Sequence, residues 1–129
     1  MERNDFEIRG EIAVRPSSTL QWEIPLQLLQ EETLSELARL QEVYQNEIER
    51  IAEFCAHDFN FRFFLGNLTK ADIVEKLQYG QRIFYTGQNG YIFFDPHEER
   101  FGRLAIRFDG DFNGLILEDE CCEASQCEW

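Results

Sequence analysis

The sequence predicts an α+β protein: an antiparallel sheet, made from an N-terminal hairpin and a C-terminal meander, packed on one long helix with a second short helix. Three observations predict it. Residues 33–59 carry apolar groups at helical spacing, while residues 6–28 and 82–117 carry them at the strand period of two. Clusters of Gly, Asn, Asp, Ser and Pro separate the alternating stretches, as turns require.

In chain order, Phe6, Ile8, Gly10, Ile12 and Val14 alternate with Glu7, Arg9, Glu11, Ala13 and Arg15, the pattern of one half-buried strand. Residues 15–19 hold turn chemistry. A second alternation follows, with Leu20, Trp22, Ile24, Leu26 and Leu28 against Gln21, Glu23, Pro25 and Gln27. Pro25 has no N–H to give a neighbour, so this strand is expected at a sheet edge or to end there. The two strands form the N-terminal hairpin.

The long helix over residues 33–59 places Leu34, Leu37, Gln41, Tyr44, Ile48, Ile51, Ala52 and Cys55 on one side. Glu36, Arg39, Glu42, Asn46, Glu49, Arg50 and Glu53 fall on the other. Thr33 and Glu36 match a capping box, in which each side chain bonds the other's backbone N–H. About 24 helical residues would span roughly 36 Å. An apolar stripe of that length needs a sheet, or a second copy of the helix, to cover it.

Residues 59–65 are the most aromatic stretch, with Phe61, Phe63 and Leu65 in alternation, and suggest a short strand. Thr69 and Asp72 then open the short helix as N-cap and first-turn acid, and Gly80 stands where a helix-ending glycine belongs. In the meander, residues 82–86 and 91–95 flank Gly87-Gln-Asn-Gly90, a hairpin signal. Residues 95–102 form a loop, residues 103–108 a strand, residues 109–114 a turn and residues 115–117 a last strand. Ile83 and Tyr85 oppose Phe84, and Ile92 and Phe94 oppose Tyr91 and Phe93, so both sheet faces are apolar. One helical layer covers only one of them. The other is left to the second helix, to curling of the sheet, or to another protein.

Residues 1–118 are expected to form one domain, and residues 119–129 an acidic, flexible tail. At 43% hydrophobic residues the chain has enough apolar material for a core despite a formal charge of −13. About half of that imbalance lies in residues 109–129, which hold Asp109, Asp111, Glu118, Asp119, Glu120, Glu123 and Glu128 and no Lys or Arg. A chain this acidic repels phosphate backbones, which excludes direct nucleic-acid binding, and is drawn to basic surfaces. No apolar run reaches membrane-spanning length and the first residues lack a signal peptide's apolar core, so a cytoplasmic protein with reduced thiols is expected.

The sharpest motif is Asp109-Gly-Asp111-Phe-Asn113-Gly114, followed at the twelfth position by Glu120. Over these twelve residues it resembles an EF-hand calcium loop. The resemblance implies oxygen ligands from Asp109, Asp111, Asn113 and Glu120. The flanks argue otherwise: an EF-hand needs an entering helix, and the residues before Asp109 alternate at period two. A hairpin turn needs the same residue types. Cys55, His57, Cys121, Cys122 and Cys127 match no standard zinc spacing, and Cys55 sits on the buried helix stripe. Nucleophilic catalysis has no motif to rest on, and no cofactor is expected.

What remains is acid beside aromatics. The expected function is a non-catalytic protein-binding module. Glu36, Glu42, Glu49 and Glu53 on the helix and Glu118, Asp119 and Glu120 in the tail supply attraction, while Phe84, Tyr91 and Phe93 supply buried contact. The matching partner is a basic protein surface. Its most specific version is the groove of a nucleic-acid-binding protein, which the chain would occupy as an inhibitor that mimics nucleic acid. Two alternatives stand beside it: a calcium-responsive module using residues 109–120, and a self-associating structural or assembly factor, as a homodimer.

Overall fold

The computed structural model describes residues 1–58, 68–79, 81–94 and 104–119. They form a seven-stranded sheet whose spatial order is the order of the chain. β1 (Glu7–Arg9), β2 (Ile12–Arg15) and β3 (Leu20–Pro25) come first. Two helices follow, α1 (Glu31–His57) and α2 (Lys70–Gln78). Then come β4 (Gln81–Tyr85), β5 (Asn89–Phe94), β6 (Leu104–Asp109) and β7 (Asn113–Asp119). Neighbouring strands pair antiparallel except β3 and β4, which run parallel. A parallel pair cannot be closed by a hairpin; it needs a crossover, and here the crossover carries both helices. The expected hairpin and meander are therefore one continuous sheet, mostly rather than wholly antiparallel.

Register shows how the two faces arise. Trp22, Ile83, Ile92, Ile106 and Leu117 are successive partners across β3 to β7. This row joins Leu37, Leu40, Tyr44, Ile48 and Ile51 of α1 and Ile73 and Leu77 of α2 in a single apolar core. The Tyr44 hydroxyl donates to the Leu77 carbonyl at 2.7 Å and ties the helices together. Both helices thus lie on one face, and the second does not cover the other. Val14, Glu23, Phe84, Tyr91, Arg107 and Ile116 form the matching row on the opposite face. No helix among the described residues is long and apolar enough to cross a membrane.

The first alternation, expected as one strand, is two. Gly10 takes φ +65°, a left-handed conformation that costs glycine little, and the chain reverses so that Arg9 pairs with Ile12. β3 is central, not at an edge. It ends at Pro25, and the chain passes into a 3-10 turn over Leu26–Leu28.

α1 begins two residues before Thr33. Glu31 and Glu32 occupy its first turn, where carboxylates suit the positive end of the helix dipole, and Leu34 N–H bonds the Gln30 carbonyl. Thr33 is buried inside the helix, so the capping box expected there does not form. The one at Thr69 does: its hydroxyl accepts from Asp72 N–H, and the Asp72 carboxylate accepts from Thr69 N–H, each at 3.1 Å. Gln41, the polar member of the buried stripe, accepts a 3.1 Å bond from the Trp22 indole N–H and so satisfies a donor that the core would otherwise strand. The expected strand at 59–65, Gly80 and the loop at 95–102 lie outside the described residues.

Candidate binding surfaces

The expected contact residues fall on two opposite sides of the molecule. On α1, at 100° per residue, Glu31, Glu42, Glu49 and Glu53 fall within about 40° of one another. All four are exposed, on the side of the helix away from the sheet. Glu49 and Glu53 share the Lys70 ammonium at 3.3 and 3.2 Å, and these contacts, Glu53 first, raise the lysine's pKa. Glu53 also lies 3.5 Å from His57. Glu31 and Glu42 form no ion pair among the described residues.

Glu36 belongs to a neighbouring row that is locally neutralised. Its carboxylate receives Arg39 at 2.6 Å, and Arg39 also grips Asp111 at 2.8 Å. The two hydrogen-bonded carboxylates raise the guanidinium's pKa, and Arg39 in turn holds the Asp111 carboxyl below its ordinary range. Glu47 pairs with Arg50 in the same row. Of the helix acids singled out from the sequence, Glu36 shares its cation with the Asp111 turn, Glu49 and Glu53 share Lys70, and Glu42 has no ion pair among the described residues.

Phe84, Tyr91 and Phe93 lie on the sheet face that points away from both helices. Phe93 is only 2% exposed, and the Arg82 guanidinium lies 4.7 Å over its ring. Phe84 and Tyr91 are half-buried. Beside them stands a group that the sequence did not single out. Glu23 is 4% exposed, accepts a 2.8 Å bond from Gln21, and has Arg82 Nε at 3.6 Å, an ion pair without a hydrogen bond. The alternation of β3 gave no sign of it, because every outward residue of a half-wet strand is polar. Glu118 and Asp119 end β7, where Asp119 still pairs with Leu104, and Glu120 lies outside the described residues.

The residues of the calcium motif are placed by a hairpin. β6 and β7 flank the turn instead of helices, and Asp109 pairs with Asn113. Gly110, Phe112 and Gly114 take φ of +49°, +64° and +57°. The Asp111 carboxylate is turned onto Arg39, and the Asp111 carbonyl accepts from Arg50 at 3.3 Å. Phe112 plugs the core, 4.4 Å from Phe108 and 5.4 Å from Tyr44 between ring centroids. The arrangement docks the turn against α1. Strands β6 and β7 stand where an EF-hand has its two helices. Among the described residues no group of three or more His, Cys, Asp or Glu side chains is placed to hold a metal.

No protein-family model, no curated protein and no solved structure matches this chain.

Cys55 is fully buried, and burial, aided by Asp58, pushes its thiol up to about 12. A thiol held neutral is neither a nucleophile nor a ready metal ligand. His57 sits exposed at the C-terminal end of α1, bonded to the Glu53 carbonyl one turn back. Cys121, Cys122 and Cys127 lie outside the described residues.

Proposed function

We propose that this chain is a non-catalytic binding protein that presents the Glu31–Glu42–Glu49–Glu53 row of α1 to a basic surface of another protein. The observation that carries the reading is the alignment of these four exposed carboxylates along one side of a 27-residue helix. Among the described residues Lys70 bridges Glu49 and Glu53, and His57 lies 3.5 Å from Glu53. Over the roughly 33 Å from the first to the last of them, a row of negative charge can follow an extended basic groove. A groove that otherwise holds a nucleic-acid backbone has that form, and occupying it would make the chain an inhibitor. Against the formal charge of −13, the long-range field adds to the encounter rate.

The test is capture from a lysate of the source cell with the wild-type chain and with a Glu42→Lys/Glu49→Lys double variant. A specific partner should be retained at about 50 mM salt and released by about 500 mM, as screening of exposed charge demands. The double reversal should weaken its affinity by at least about tenfold. Salt-insensitive capture, or equal capture by the double variant, would overturn the electrostatic reading.

A further inference from the structure

We propose that the cleft between the β2–β3 turn, α1 and the C-terminal end of α2 binds a small organic anion with an apolar body. The cleft has a volume of about 430 Å³, within the range that holds small ligands. Its lining is unusual for this chain. Among the described residues it includes Arg15 and no carboxylate, although acids outnumber bases 25 to 12 in the sequence. Three other clefts each carry at least one carboxylate: Glu2 and Glu31, Glu32 and Glu36, or Glu11.

The polar lining is neutral apart from Arg15, with Gln45 and Gln78 beside three groups whose donors the fold fixes. Arg15 has no ion-pair partner among the described residues, and its Nη1 donates a long 3.4 Å bond to Gln41 Oε1. That oxygen also accepts from the Trp22 indole. With its oxygen taken twice, the Gln41 amide offers only its NH₂ group. Ser17 Oγ accepts from the backbone N–H groups of Thr19 and Leu20, at 3.2 and 3.4 Å. Its own proton is then directed to Thr19 Oγ1, 3.0 Å away, which leaves the Thr19 hydroxyl free to donate. Arg15 and Gln41, in contact with each other, and Thr19 on the same lining thus supply a cation and two neutral donors, the combination that receives a carboxylate or a phosphate.

The inner part of the cleft is apolar. Leu20, Ile48 and Leu77 line it, as does Tyr44, whose hydroxyl is already committed to the Leu77 carbonyl. Tyr79 stands at its rim, 63% exposed. An aromatic ring so placed can close over a ligand's apolar body. The donors fix the acid group, and the leucines, Ile48 and Tyr79 take the rest. The ligand is therefore an arylalkyl or alkyl acid of modest size, bound weakly because the chain's net field opposes its charge. This site is independent of the α1 acidic row.

The test is amide chemical-shift titration of the full chain with three probes: 4-phenylbutyrate, phenyl phosphate and the uncharged 4-phenyl-1-butanol. At least one of the two anions should shift the amides of residues 17–20 and 77–79, with a Kd of about 1 mM or below. Which of them binds more tightly distinguishes a carboxylate site from a phosphate site, and the alcohol should bind at least about tenfold more weakly than the better anion. Arg15→Met should remove that preference for charge. Gln41→Glu keeps an acceptor for Trp22 while placing a carboxylate beside Arg15, so it should abolish anion binding in a folded chain. Glu11→Gln, in the turn between β1 and β2 and outside the lining, should leave the titration unchanged. No shift with either anion at about 10 mM, shifts centred elsewhere, or equal binding of the alcohol and the better anion would overturn the proposal. So would an unaltered anion titration in folded Arg15→Met and Gln41→Glu.

Discussion

Phe112 shows how a single residue can serve two opposed demands. It is fully buried between Phe108 and Tyr44, and its backbone sits at φ +64°, a conformation that costs a bulky residue of order 1–3 kcal/mol. Packing offsets that strain. Phe112→Ala loses the ring and keeps a Cβ in the left-handed region, so it should destabilise by about 3–5 kcal/mol. Phe112→Gly loses the same ring but relieves the backbone, and should be less damaging than the alanine by about 1 kcal/mol. Urea denaturation of both variants checks this order, which is the reverse of that in an ordinary core helix. Cys55 gives a second prediction at this scale. Its thiol is raised from an ordinary value of 9.0 to about 12, and burial likewise raises the Tyr44 phenol above its ordinary 10.0. Above pH about 9 the unfolded chain loses protons that the folded chain keeps, so stability is present in full below that pH and falls as pH rises. The slope approaches about 1.4 kcal/mol per pH unit for each group in its window. Urea midpoints at pH 8, 10 and 11 should fall in that order, and Cys55→Ala should show a shallower loss from pH 9 upward.

At the scale of the elements, both helices and the strands from β3 onward were legible because each rests on a local signal. Thr69 and Asp72 announce α2, and Gly87 to Gly90 announce the β4–β5 hairpin. The continuous alternation from Phe6 to Val14 concealed a reversal, since a two-residue turn preserves period two and only Gly10 marks it. The start of α1 was misplaced for a related reason: Thr33 satisfies a capping pattern, but two acids at the dipole's positive end and the burial of its side chain favour an earlier start. The parallel β3–β4 pairing is a non-local fact. Nothing within either strand states which edge the crossover returns to. The candidate surfaces were legible in part. Helical periodicity gave the outward acids of α1, whereas the second carboxylate on Glu36's partner Arg39 comes from Asp111, 72 residues beyond that arginine. The Glu23–Arg82 pair and the Arg15 cleft depend on the same kind of distant contact.

The whole molecule sets the acidic row and the outward aromatics on opposite sides, with the sheet and a helical layer between them. A helix is about 10 Å across and packed layers lie about 10 Å apart, so no single flat contact reaches both sets. A partner held by α1 meets Glu31, Glu42, Glu49 and Glu53 and does not touch Phe84 or Tyr91. Charge reversal at Glu42 and Glu49 should therefore weaken that partner and steepen no other dependence, while Phe84→Ala/Tyr91→Ala leaves its affinity within about twofold. Combining the two pairs should give additive free energies, to within about 0.5 kcal/mol, as for sites with no shared contact. Binding measured by isothermal titration for the four proteins of this cycle, at two salt concentrations, checks both statements. A loss on aromatic truncation comparable to that on charge reversal would mean that the partner wraps the edge of the sheet at β7, where Ile116 of the outward row is 46% exposed.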